Sequence, residues 1–371
     1  MTVEEPNFPG ILQHFELTGH FDGAEPHGSG HINDTWLVRI NHFDARKRYI
    51  LQRINGSVFA APLTVMANVD RVTRHIRTLP QGDFDEQLMD QPAFVPIRTR
   101  DGAPCWQDNG GETWRLWPFI YGASTVNNPG SARQAHHAAR AFGRFQALLQ
   151  DLPGPPLEAT IPGFHDAAGR YAQFRSALES DSHERAVHCQ PEIEAALRHE
   201  PFMQSFCSLI DDGTLPQRIA HNDAKINNVL LSDKTGEAVC VIDLDTVMPG
   251  LALFDFGDMV RTMTTSAAED QGDSQDITMR MDYYEAIAAG YLDTAGHFLS
   301  PDEIAHMPDA GKLLTVETGL RFLTDYLDGD RYFRTSREGQ NLDRCRTQFY
   351  LVDSIDSHMK SMRKITEKLI R

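Results

Sequence analysis

Ile219-Ala220-His221-Asn222-Asp223-Ala224-Lys225-Ile226-Asn227-Asn228-Val229-Leu230-Leu231 is the stretch that decides the fold. After a polar turn it is answered by Ala238-Val239-Cys240-Val241-Ile242-Asp243-Leu244-Asp245. Val229–Leu231 and Val239–Ile242 are apolar β-formers on either side of Ser232-Asp233-Lys234-Thr235-Gly236-Glu237, a turn-forming run, so the segment reads as a β-hairpin. With the turn centred on Thr235-Gly236, Asn228 faces Asp243 across the hairpin mouth. An amide oxygen and a carboxylate are hard ligands suited to Mg²⁺ on a nucleotide's phosphates. Asp223, on the entering loop, is placed to accept a proton from a hydroxyl nucleophile. Asn and Asp at strand ends are often plain turn formers; three of them around one apolar hairpin point to a metal–phosphate site instead.

The spacing also matches the H-R-D-L-x-x-x-N catalytic loop of protein kinases, with His221, Asp223 and Asn228 at the same relative places. His221 reads as a packing residue that holds this loop. Asp255-Phe256-Gly257 spells the kinase metal motif but lies beyond Pro249-Gly250, outside the hairpin. Asp243 therefore takes the metal role, while Asp255 and Asp258 are expected to cap a helix or brace the loop backbone. Asp245 ranks below Asp243, as a second ligand, a substrate contact or a surface acid.

Around this segment the chain changes texture. Residues 17–120 show short strands with tight turns, including a hairpin of Thr35–Ile40 with Arg48–Gln52 and further strands near Ala93–Arg98 and Glu112–Ile120. One helix interrupts them, starting at Pro62 with Leu63, Met66, Val69, Val72 and Ile76 at helical spacing. After Gly122 helices dominate: one capped by Ser131 and ended by Pro153-Gly154-Pro155-Pro156, then Pro191–Ile210, then Thr278 to the C-terminus. The expected fold class is α+β, a two-lobed protein-kinase-like fold with a small β-rich N-lobe and a large, mainly helical C-lobe. The expected division is 1–117, a nucleotide-binding lobe, and 118–371, a catalytic and substrate-binding lobe, with Pro118 stiffening the link.

The N-terminal clamp is less explicit. His27-Gly28-Ser29-Gly30-His31-Ile32-Asn33 joins two strands, and Gly28 and Gly30 allow backbone N–H groups to approach phosphates. The usual strand lysine is missing; Tyr49-Ile50-Leu51-Gln52-Arg53 offers Gln52 and Arg53, so either the nucleotide is held without that cation or Arg53 supplies it. Composition narrows the partners. The 371 residues hold 52 acidic against 35 basic side chains, a net charge of −17, which repels nucleic acid and anionic membrane. Five scattered cysteines, never C-x-x-C, argue against disulfides and zinc and suit a reducing cytoplasm. The acidic N-terminus lacks a signal-peptide layout, no apolar run is long enough to span a membrane, and the expectation is a soluble cytoplasmic protein. Oligomeric state is open, with a monomer expected.

The His-Asn-Asp-x-Lys-x-Asn-Asn run and Ile242-Asp243-Leu244-Asp245 resemble the aminoglycoside phosphotransferase and choline kinase superfamily. Gly30-His31-Ile32-Asn33, Tyr49-Ile50-Leu51-Gln52, Asp245–Gly250, Leu253–Asp258, Arg321-Phe322-Leu323 with Asp325-Tyr326-Leu327, Gly329–Phe333 and Asn341-Leu342 narrow the resemblance. From about residue 8 to 350 the chain is similar to bacterial N-acetylhexosamine 1-kinases, which phosphorylate the anomeric hydroxyl of GlcNAc or GalNAc with ATP and Mg²⁺. The resemblance implies Asp223 as base, Asn228 and Asp243 on metal, Gly28, Gly30, Asn33 and Gln52 on the nucleotide, and His31, Asp223, Arg321 and Tyr332 on the sugar. Taken alone, Arg321 among Leu320, Leu323 and Leu327 reads as a snorkelling surface residue and Tyr332 as a partly buried aromatic. Pro118 departs from the polar hinge residue the family pattern leads one to expect.

Overall fold

A computed structural model describes residues 6–28, 32–42, 45–79, 94–272 and 277–370. By packing the chain divides into two compact units. The first comprises Met1–Ala123, Asp151–Pro162 and Ile242–Met248; the second comprises Ser124–Gln150, Gly163–Val241 and Pro249–Arg371.

In the first unit, β1 (His20–Pro26), β2 (Asp34–Asn41), β3 (Arg46–Ile54), β4 (Trp106–Gln107) and β5 (Thr113–Pro118) form one antiparallel sheet in the order β1-β2-β3-β5-β4. The expected hairpin is β2–β3, with Thr35 opposite Gln52 and Ile40 opposite Lys47. Alternation along these strands sends Val38, Ile40, Tyr49, Leu51, Trp114 and Leu116 into a core shared with Phe8, Ile11 and Leu12 of the short helix α1 (Phe8–Leu12). The strand expected near 93–98 is not formed among the described residues. Ile97 makes only an isolated bridge to Leu116, on the edge of β5 away from β3.

Helix α2 (Pro62–Thr78) begins at Pro62 as read from the sequence, but its buried face is Val65, Met66, Val69 and Val72, and Leu63 is exposed. Asn68 on that face donates to the carbonyls of Glu158 (2.8 Å) and Val247 (3.1 Å). That side chain explains how 151–162 and 242–248, remote in sequence, belong to this unit.

The second unit is helical apart from short strands. The two-residue strand β6 (Ala123–Ser124) falls at the junction of the two units, and β7 (Arg218–Ala220), β8 (Val229–Ser232) and β9 (Ala238–Val241) surround the decisive loop. The helices are α3 (Ala132–Leu148), α4 (Ala167–Ser180), α5 (Gln190–Asp211), α6 (Ala252–Met263), α7 (Met281–Ala295), α8 (Pro301–Leu327) and α9 (Gln340–Leu369). Ser131 caps α3 through Gln134 N, as its position predicts. Ser300 and Glu303 close a full capping box on α8.

The β8–β9 hairpin exists, but its register is one residue from that expected. Val229 pairs with Val241 and Leu230 with Cys240, then Leu231 pairs with Ala238. Val239 is thus an extra residue on β9, a bulge that turns symmetry about the loop into an offset. The ladder ends before Asn228 and Asp243, so these are not cross-strand partners. Asn228 instead closes a 3₁₀ turn, Ile226–Asn228, and Asp243 takes a left-handed conformation (φ 61°) at the start of another, Leu244–Thr246.

The apparent kinase metal motif has a packing explanation. Phe256 is fully buried against Tyr291 (ring centroids 5.3 Å apart), and a Cβ on Gly257 would lie 2.3 Å from the carbonyl oxygen of Ala310 on α8. Glycine is required because two helix backbones approach there. Gly257→Ala should therefore lower stability by about 1–3 kcal/mol, read as a fall in the urea midpoint at unchanged slope; an unmoved midpoint would remove this packing role.

Candidate active site

The decisive loop is held by one buried carboxylate. Asp255, fully buried in the first turn of α6, accepts the backbone N–H groups of His221 (2.9 Å) and Asn222 (2.7 Å) and the Gln146 side-chain amide (2.6 Å). Burial pushes its carboxyl above the usual range, opposed by His221, the two backbone donors and Gln146. The expectation that Asp255 braces the loop is met. His221 is also as expected: its ring is fully buried against Phe142 and Phe145. Asp258 pairs with Arg261 one turn along the same helix at 2.6 Å.

The braced backbone turns sharply. Asn222 adopts φ 63°, a left-handed conformation that Asn tolerates better than most residues. The turn presents Asp223, whose side chain is 26% exposed, to Lys225 Nζ at 2.9 Å and Asn228 Nδ2 at 2.9 Å. Asn228 Nδ2 also donates to the Asp223 carbonyl (2.8 Å). Partial burial raises the Asp223 carboxyl, but Lys225, His221 and the Asn228 amide outweigh it and hold the group below the ordinary carboxylate range. The carboxylate is thus ionised at neutral pH. Because the Asn228 amide nitrogen is spent on Asp223, its oxygen is the atom left to face a cation.

Arg321 and Tyr332 are brought together in the same unit. The Arg321 guanidinium lies 5.7 Å from the Tyr332 ring centroid, 5.5 Å from Phe164 and 5.4 Å from Phe333. Tyr332 is 61% exposed, which departs from the partly buried aromatic expected of it. Its backbone N–H, with those of Arg331 and Phe333, is gathered by the Asp325 carboxylate, which Asn341 also contacts. Those bonds fix the turn that lifts Tyr332 to the surface.

In the first unit, Asn33 contacts Asp245 directly and Gln52 is linked to it through Arg115. Asn33 Nδ2 donates to Asp245 (2.7 Å), and Arg115 forms a two-pronged ion pair with both Asp245 oxygens, one contact at 3.0 Å. Gln52 accepts from Arg115 Nε (2.9 Å) and Trp117 Nε1 (3.0 Å) and donates to Thr35 (3.1 Å), so its amide is occupied within the sheet. Arg53 pairs with Asp34 at the end of the β2–β3 ladder. Arg115 is the cation that the sequence reading missed. It is 1% exposed and stands on β5 directly opposite Gln52, the uncharged residue at the β3 position where a lysine was expected. A signal was available: a lone arginine in Trp114-Arg115-Leu116-Trp117 has to be paired if the strand is buried. Asp245 is therefore no surface acid. Asp243, two residues away, is exposed. Gly28 is described, with open space around its α-carbon (φ 78°), whereas Gly30 and His31 lie outside the described residues.

No group of three or more His, Cys, Asp or Glu among the described residues could hold a metal ion. The amide oxygen of Asn228 and the carboxylate of Asp243 are each the hard donor that Mg²⁺ takes alongside oxygens supplied by a nucleotide. Among the described residues no helix is long and apolar enough to cross a membrane.

A small antiparallel-sheet unit, a helical unit and a braced H-x-D-x₄-N loop define a protein-kinase-like α+β fold, the class of phosphoryl-transferring enzymes. The sequence profile of the phosphotransferase enzyme family matches residues 23–297, well over half of the chain, and the chain belongs to that family: it is a phosphotransferase. Among solved structures it resembles an aminoglycoside phosphotransferase from Alicyclobacillus acidocaldarius (TM-score 0.64, 13% identity, 99% of this chain and 98% of that one). It also resembles a spectinomycin phosphotransferase in complex with ADP and spectinomycin (TM-score 0.59, 12% identity, 97% and 99%). A choline kinase from Cryptosporidium parvum is similar as well (TM-score 0.56, 14% identity, 98% and 97%). At these identities the likeness is one of fold.

Arg115→Met should cost about 3–5 kcal/mol by stranding a buried carboxylate, whereas adding Asp245→Leu should recover most of that loss. Chemical denaturation of both variants checks this, and an undisturbed single variant would show the pair to be dispensable.

Proposed function

We propose that this phosphotransferase moves the γ-phosphoryl group of ATP to the anomeric hydroxyl of an N-acetylhexosamine, GlcNAc or GalNAc, giving the sugar 1-phosphate. The reading assigns 1–117 to the nucleotide and 118–371 to catalysis and acceptor. The observation that carries the phosphoryl-transfer part is the Asp223–Asn228–Lys225 cluster on a loop braced from behind by Asp255.

In this reading Asp223 accepts a hydrogen bond from the acceptor hydroxyl, orients its oxygen toward the γ-phosphorus and takes the proton as the bond to phosphorus forms. A depressed carboxyl is a weak base, so its main contribution is orientation, with proton uptake late, once the oxygen has become acidic. Asn228 and Asp243 would hold Mg²⁺, which when bound with ATP neutralises charge on the phosphate oxygens. Gly28, Gly30, Asn33 and Gln52 are assigned to the nucleotide. Of these Gln52 acts through Arg115 and Thr35, its amide being occupied. His31, Arg321 and Tyr332 are assigned to the sugar. An exposed tyrosine ring beside a guanidinium supports that assignment, since it offers a flat apolar face and hydrogen-bond donors together.

Incubation with ATP, Mg²⁺ and, separately, GlcNAc, GalNAc, mannosamine, choline and homoserine, with ³¹P NMR of the products, tests the acceptor. Sugar 1-phosphate from the N-acetylhexosamines is expected; phosphocholine or phosphohomoserine in its place would overturn the sugar assignment. Asp223→Asn should lower kcat by about 10²–10⁴-fold while ATP binding by calorimetry persists. Because the Asp223 carboxyl is held below its ordinary pKa of about 3.9, its ionised form should be lost only below about pH 4. An acid limb of kcat near neutrality that vanishes in Asp223→Asn would contradict this.

A further inference from the structure

His165 precedes α4 and packs its ring against Phe164 and Phe254, with centroids 4.7 and 4.6 Å away. Its side chain is 8% exposed. Nδ1 lies 3.0 and 3.2 Å from the two carboxylate oxygens of Glu317, itself 2% exposed, and Nε2 lies 3.1 Å from the backbone carbonyl oxygen of Asn222. The Asn222 carbonyl can only accept, and so can Glu317 as a carboxylate. A neutral imidazole has one N–H and one lone pair, so in either tautomer a lone pair would point at an acceptor inside a buried site. Beside a Glu317 that Arg321 and Arg170 help to keep ionised, the ring satisfies its surroundings only as an imidazolium donating from both nitrogens.

We infer that His165 is a cationic positioning residue of the catalytic loop: clamped by Glu317, its imidazolium pins the Asn222 carbonyl and so sets the left-handed turn that presents Asp223. The inference rests on Asp223 being the catalytic base. Asn222 is then held from both ends of its backbone, its N–H by Asp255 and its carbonyl by His165. The two bonds fix both peptide planes flanking a residue whose conformation (φ 63°) is otherwise disfavoured.

The charges around the ring agree. Burial lowers the His165 pKa, but the Glu317 charge and hydrogen bond and the Asn222 carbonyl raise it further than burial and Arg321 lower it; the net direction is up. Glu317 moves the opposite way: burial raises it, but His165, Arg321 and Arg170 outweigh that and hold it below the ordinary range. Arg321 on α8 and Arg170 on α4 are thus the cations facing the pair. Asp166, Cys207 and Asp211 line a cavity of about 260 Å³ beside it. By sign, a raised histidine contributes its interaction fully below about pH 6.5 and loses it as pH rises through the elevated folded-state value. Glu317 loses its part only in acid. The clamp is therefore fully formed below about pH 6.5 and opens as pH rises through the raised value.

The test is a pH titration of the full chain with ¹⁵N-labelled histidine and backbone, read beside the pH dependence of kcat. His165 should show both ring nitrogens protonated at pH 7. The Asp223 amide, which shares a peptide with the Asn222 carbonyl, should titrate with the same midpoint, and kcat should fall through it. Glu317→Gln should move all three midpoints down by about a pH unit or more, the scale of a buried ion pair, and His165→Gln should abolish that limb. A singly protonated ring at pH 7, or an Asp223 amide indifferent to its titration, would overturn the inference without reference to any substrate. A Glu317→Gln variant that shifts the ring's titration but leaves the kcat limb in place would also overturn it. If Asp223→Asn kept its turnover, the base assignment would fall, while the two NMR midpoints would still report whether the clamp exists.

Discussion

One buried carboxylate organises the loop that carries Asp223. Backbone N–H groups at 221 and 222 leave β7 for a tight turn and have no ladder to join, and a buried donor without a partner costs about 1–3 kcal/mol. Asp255 takes both of them and a third donor from Gln146, whose own oxygen receives the Tyr291 hydroxyl. The network is closed: each member is satisfied by the next, so the turn has one arrangement rather than several. Asn222 tolerates its left-handed backbone because the groups on either side of it are tied down, and Asp223 follows from Asn222.

The first unit uses the same device with a full ion pair. Arg115 and Asp245 are both almost wholly buried, so the attraction between them is spent largely on their lost hydration, and the pair contributes little net stability. Its effect is conformational. Asp245 can occupy the interior only where the Arg115 fork meets it and Asn33 adds a donor, which fixes the 3₁₀ turn Leu244–Thr246. Asp243 is left at the head of that turn in a left-handed, exposed position. In each unit a buried carboxylate steadies a less buried one, Asp223 in one and Asp243 in the other, to which we assign a part in phosphoryl transfer.

The sequence carried the hairpin and the loop, which depend on near neighbours, and set Asp255 apart from the hairpin as a helix cap or brace, although the backbone groups it braces lie 33 and 34 positions away. Apolar β-formers flank a turn, and Pro249-Gly250 separates Asp255 from the hairpin. It did not carry the register. The bulge at Val239 turns on how β9 packs, and one residue's displacement removes the facing of Asn228 and Asp243 that simple symmetry suggests. Leu63 sits at helical spacing with its buried neighbours yet is exposed, since period alone does not say where the stripe ends.

What the chain alone determined was the kinase-like class, the change from strands to helices and the identity of the acid-and-amide loop, all set by interactions within about twenty residues. Tertiary structure decided which charges are buried and with whom. Arg115 meets Asp245 across 130 positions, and His165 meets Glu317 across 152 and Asn222 across 57. Only folding brings such groups within hydrogen-bonding range and removes them from water, and that removal turns a plain arginine, histidine or aspartate into a group that must be paired.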